Sequence, residues 1–192
     1  MGITFSLIRV PADTVAALAG RPRAVAEFVY QDGSFYKAPK PGFFGRFFGA
    51  KAEATDPIPA RHDNDEMDLD KSWHIVHYLL TGSTGRSESP LGIIGDDLHP
   101  LANLDLGLGK PNVLSPDVVA AFDQAAQSLT DDAVMARFIA TEMPTDELYL
   151  GNVIARGDEE DMREYALENF HVLRDFARQA AAANEAIITF YS

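Results

Sequence analysis

The chain has 192 residues, enough for one domain with a sizeable core, and 46% of them are hydrophobic. Its 16 basic and 29 acidic residues leave a net charge of −13, which opposes a duplex-binding surface because such a surface needs clustered positive charge. There are no cysteines, so disulfides, thiolate catalysis and cysteine-based zinc sites are excluded.

Met1 to Val10 lacks the basic start and cleavage site of a signal peptide. The sequence also lacks the run of about 18 apolar residues that a transmembrane helix needs. Cytoplasmic residence is therefore expected, with no transmembrane segment and no nucleic-acid partner.

Ile3 to Val10 is β-rich and reads as a first strand, ended by Pro11. A short helix follows from about Asp13 to Leu18 and stops at Gly20. Pro22 suits the first position of a second helix, which runs to Tyr30 with Val25, Phe28 and Val29 inward.

Residues 31–66 change character. Prolines 39, 41, 57 and 59 and glycines 33, 42, 45 and 49 punctuate this stretch, which reads as an insertion in a single domain spanning 1–192. Phe43, Phe44, Phe47 and Phe48 have the spacing of an amphipathic turn, with Lys37, Lys40, Arg46 and Lys51 around them. Such a turn can fold back as a lid on the core, or meet a membrane surface or a partner.

The clearest helix signal in the first half lies between Asp68, a good N-cap, and Gly82, a good C′ residue. Leu69, Trp73, Val76 and Leu80 form its apolar stripe, widened by Ile75 and Leu79. Asp70, His74, His77 and Thr81 recur at helical spacing and fall in one band beside that stripe. A carboxylate one turn from an imidazole can orient it as a general base, and two imidazoles at i and i+3 can share a metal. Histidines flanking a tryptophan more commonly satisfy backbone groups or cap a neighbouring loop.

A Gly/Ser-rich connection runs from Gly82 to Gly95, and Leu91, Ile93 and Ile94 read as a short strand within it. The Gly109-Lys110 pair invites a phosphate-loop reading, which fails. Leu104 stands where that motif needs glycine, and Pro111 where it needs Ser or Thr. Ser115-Pro116-Asp117 is a strong helix start, with Val118, Phe122, Ala125 and Leu129 inward. Thr130 caps the next helix, whose Val134 and Phe138 point in. Pro144 interrupts before Leu148 to Ile154. The longest helix, about Asp158 to Ala183, buries Met162, Ala166, Phe170, Leu173, Phe176, Ala177 and Ala180, and Asn184 ends it. Ala186 to Tyr191 is a final strand.

Strands at both termini with helices between predict an α+β fold, a small mixed β-sheet covered by several helices. No nucleophile elbow, His-Glu-x-x-His pair or EF-hand loop is present.

Leu69-Asp70-Lys71-Ser72-Trp73-His74, His77 and Leu79-Leu80-Thr81-Gly82 resemble the YfbM-like proteins, small bacterial proteins grouped as a domain of unknown function. Leu114-Ser115-Pro116, Asn169-Phe170 and the closing Ala186-Ile187-Ile188 strand support the resemblance. It implies an α+β fold and no assigned activity, and it carries no catalytic residues.

From the residues themselves, the expected function is binding of a small molecule or a protein at a site lined by Asp70, Trp73, His74, His77 and Thr81. The alternative is a hydrolase or isomerase using His74 or His77 as base with Asp70 behind it, with or without a metal to assist. No cofactor or metal ligand is assigned. The far wall is expected from residues 92–109, whose glycines permit close approach and which bring His99, Asp96 and Asp97.

Overall fold

The structure, a computed structural model, describes residues 2–31, 57–61, 65–95, 98–105, 107–139 and 141–192. Phe43 to Phe48, Asp96 and Asp97 lie outside the described residues.

Two long strands form the centre. β1 (Phe5–Val10) pairs antiparallel with β4 (Ala186–Tyr191), matching Phe5 to Tyr191 and Val10 to Ala186. Two strands of three residues each, β2 (Glu66–Asp68) and β3 (Asn112–Leu114), flank them in the order β2-β1-β4-β3. Every described pair is antiparallel, which corrects the expected mixed sheet. β1 and β4 are buried at nearly every position because the sheet is covered on both faces, so a simple alternation of buried and exposed residues disappears.

One face carries Phe5, Leu7, Ile187 and Tyr191. Against it pack α3 (Trp73–Thr81), α4 (Pro116–Gln127) and α7 (Glu159–Ala182). α7 spans about 36 Å at 1.5 Å per residue and buries the seven residues of its expected stripe. Each fully buried Phe or Leu on it contributes about 1.5–3 kcal/mol of transfer free energy. Two shorter helices, α5 (Asp131–Met135) and α6 (Gly151–Ile154), complete that layer. The hydroxyls of Ser115 and Thr130 accept the Val118 and Ala133 N–H groups, so both expected caps are in place.

The opposite face carries Ile8, Val10, Ile188 and Phe190. α1 (Ala12–Leu18) and α2 (Pro22–Tyr30) cover it, with Leu101, Ala102 and Leu104. Arg61 ties the chain just before β2 back to the end of α2. Its guanidinium donates to the Phe28 and Val29 carbonyls at 3.0 and 2.7 Å and to the Glu66 carboxylate. It thereby satisfies carbonyls that the end of α2 leaves without helical partners.

Three expectations are corrected. Leu91 to Ile94 is a turn, with the Gly92 N–H bonded to Ser89 O and serine hydroxyls bracing the chain. The α4 face is turned by one residue, burying Val119, Phe122 and Ala126. The helix expected from Asp68 begins as an α-helix only at Trp73.

Candidate functional site

The start of α3 sets the geometry of everything on it. Leu69 N–H still donates to Phe5 O at 2.9 Å, so the chain remains tied to the sheet there. The Asp68 carboxylate accepts Asp70 N–H at 2.6 Å, and Asp70 takes a left-handed φ of +46°. A single 3-10 turn, Asp70–Ser72, then leads into α3, with Ser72 Oγ donating to Leu69 O. Gly82 ends α3 at φ +73°, with its N–H on Tyr78 O.

Asp70 does not reach the histidines. Its exposed carboxylate accepts the Tyr165 hydroxyl at 2.7 Å, and Tyr165 Oη in turn accepts Lys71 N–H at 3.2 Å. Burial, and after it the bond to Asp70, pushes the Tyr165 phenol up to about 12.

Trp73 is half-buried. Its indole N–H donates to Ile3 O at 3.2 Å. Its ring stacks on Tyr149 at 5.7 Å and meets Tyr191 edge-on at 5.1 Å. It also lies nearly parallel to its neighbour His74, at 4.7 Å and 8°.

His74 and His77 each bond one carbonyl of the connection after α3. His74 Nε2 lies 2.8 Å from Thr84 O, and His77 Nε2 lies 2.8 Å from Gly85 O. His74 Nδ1 accepts Tyr149 N–H at 3.0 Å, which places the ring proton on Nε2. His77 is 3% exposed, and its Nδ1 is buried with no hydrogen-bond partner. Burial pushes the His77 imidazole below its ordinary value of 6.5, the Gly85 bond opposing and His74 reinforcing that shift. Thr81 Oγ1 donates to His77 O at 2.8 Å and accepts Ser83 N–H at 3.2 Å. Three side chains of α3 therefore hold the residues that follow it.

Between α3 and this connection lies a cavity of about 340 Å³. Trp73, His74, His77, Arg86, Ile94 and Tyr191 line it. Ile94 and Gly95 come from the expected far wall, whereas His99 lines a different cavity. A further space of about 340 Å³ opens on the other side of Trp73 and Tyr191, against Gly107, Leu108 and Gly109. Trp73, His74 and His77 thus share one cavity, and Asp70 and Thr81 lie outside its lining.

Sequence reasoning missed Tyr191, Tyr149 and Arg86. Tyr191 was accessible to it, because period-2 alternation in β4 places it on the face of Ile187. Nothing in the sequence marks Tyr149 or Arg86. Among the described residues no three His, Asp or Glu side chains gather where they could hold a metal ion. Both Nε2 atoms are committed to carbonyls.

No curated protein matches the chain. Among solved structures it is similar to a protein of unknown function, YfbM from Escherichia coli, at 14% identity and a TM-score of 0.59. The likeness covers 98% of this chain and 99% of that one, and at this identity it concerns the fold alone. The family model described as a domain of unknown function, DUF1877, matches residues 1–190, and the chain belongs to that family.

Proposed function

We propose that this protein is a binding domain for a small molecule, held in the cavity between α3 and residues 84–95. The observation that carries the reading is a space of about 340 Å³ with an aromatic wall of Trp73 and Tyr191. That volume is at the small end of the roughly 300–1,000 Å³ typical of ligand pockets. It suits a compact planar group laid against the rings. Arg86, whose side chain is 57% exposed and pairs with Glu88 at 3.3 Å, stands at the rim and favours a ligand with an anionic substituent. The two histidine–carbonyl bonds hold the wall in place before any ligand arrives, which lowers the ordering cost of binding.

Geometry does not favour the general-base reading. Asp70 bonds Tyr165 rather than an imidazole, both nitrogens of His74 are engaged, and His77 Nδ1 is sealed from solvent.

Trp73 is the only tryptophan, so its emission reports directly on the cavity. A metabolite library screened by Trp73 fluorescence and ligand-observed NMR should yield at least one saturable binder. Arg86→Ala, an exposed change, should weaken an anionic binder while the fold is kept. A library with no saturable response, or a binder indifferent to Arg86→Ala and to Trp73→Phe, refutes the site.

A further inference from the structure

We infer that His74 and His77 form a latch, released by protonation, on the connection after α3. This goes beyond ligand binding and holds whether or not the cavity has a ligand.

The two rings stand one turn apart on α3 and donate Nε2–H to the consecutive carbonyls of Thr84 and Gly85. An imidazolium keeps its Nε2–H, so protonation does not remove those bonds directly. The conflict arises at the other nitrogen. A proton on His74 Nδ1 would face the Tyr149 N–H that now donates to it. A proton on His77 Nδ1 would be buried with no acceptor. A buried charged N–H without a partner is strongly unfavourable. Each ring escapes by swinging toward water, and that motion breaks its Nε2 bond. Proton uptake and release of residues 83–86 are therefore one event.

The surrounding charges do not rescue the imidazolium. From the connection itself, Arg86 lines the same cavity and opposes a second cation. From the 144–150 segment, the Glu147 carboxylate bonds the Thr84 hydroxyl at 2.7 Å and neither ring, and Tyr149 contributes its backbone N–H. From β4, Tyr191 presents a neutral phenol. Arg137, after α5, sits on Leu79 O. From α7, Tyr165 and Arg163 reach Asp70 and Phe138 O, not the rings. On α3 the two histidines repel each other when both are charged. Among the described residues no carboxylate bonds either ring.

The test is amide hydrogen exchange on the intact protein from about pH 8 to about pH 5, normalised to intrinsic rates. Tyr149 N–H reports the His74 contact, and Gly85 N–H, held by Ser83 Oγ at 3.1 Å, reports the connection. Protection of both should fall as the pH drops, by up to about tenfold per pH unit for each proton linked to the opening. Glutamine offers a non-titrating amide N–H to the same carbonyls and an oxygen to Tyr149. The paired variant His74→Gln/His77→Gln should therefore keep protection across the range.

Wild-type protection that stays level to the acid end overturns the latch, as does an equal fall in the paired variant. If that variant does not fold, ring ¹⁵N shifts of the wild type decide. Rings that titrate while the Thr84 and Gly85 carbonyl ¹³C shifts stay fixed also overturn it.

Discussion

Trp73→Ala tests whether the sole tryptophan is a structural clamp as well as a cavity wall. A fully buried Trp→Ala change costs about 3–5 kcal/mol. Trp73 is half-buried and borders two cavities, so part of that transfer term is absent. Against this, the indole holds the entry to β1 through its bond to Ile3 O. It also makes ring contacts with Tyr149 and Tyr191, each worth about 0.5–1.5 kcal/mol beyond area. The expected cost is about 2–4 kcal/mol. In a chain of this size each kcal/mol moves the melting temperature by about 2–4 °C, so the fall is about 5–15 °C. Far-UV circular dichroism on thermal and urea unfolding is the assay, since the variant has no tryptophan to follow. Trp73→Phe keeps a ring but loses the N–H donor, and should cost about 1 kcal/mol. An alanine cost below about 1 kcal/mol, or equal costs for both variants, would refute the clamp.

His77 makes stability depend on pH. Its folded pKa is depressed, so as pH falls below 6.5 the unfolded chain takes up the proton first. Stability is full above 6.5 and declines toward the folded value, by up to about 1.4 kcal/mol per unit; urea unfolding of His77→Gln should show a flatter slope. Arg61→Ala should cost about 2–4 kcal/mol in the same measurement, because it frees two buried carbonyls and a carboxylate. Since Arg61 ties the chain before β2 to the end of α2, replacing residues 34–54 by a short Gly/Ser linker should leave the circular dichroism spectrum folded, and a collapsed spectrum would refute that closure. Asp70→Ala places alanine at φ +46° and removes the Tyr165 bond, for about 1–2 kcal/mol, whereas Asp70→Asn should cost much less. A spectrophotometric titration should show the Tyr165 phenol moving down from about 12 in the alanine variant.

The elements legible in the sequence are those whose pattern repeats. β4 and the seven-residue stripe of α7 are set by long apolar series that a single neighbour cannot override. β2 and β3 have three residues each, too few for a periodicity, and exist because β1 and β4 offer them edges. Leu91 to Ile94 has strand composition, yet Ser89 gives its backbone local partners, the hydroxyl taking Leu91 N–H and the carbonyl Gly92 N–H. Ile93 and Ile94 are still buried, so their hydrophobicity was read correctly and their conformation was not.

The band of Asp70, His74, His77 and Thr81 shows where a helical wheel loses force. The wheel assumes one continuous α-helix through all four residues. His74, His77 and Thr81 satisfy that assumption, and all three act on the connection after α3. Asp70 does not, because its left-handed φ and the 3-10 turn rotate it out of register and toward α7. Asp68, the residue read as an N-cap, accepts Asp70 N–H with its carboxylate, yet the α-helix begins only at Trp73. An acid two residues ahead of a helix start therefore predicts the turn as readily as the cap, and only the sheet bond from Leu69 to Phe5 decides between them. That bond joins residues far apart in the chain, which is why the pairing of Asp70 with His74 was plausible in sequence and absent in space.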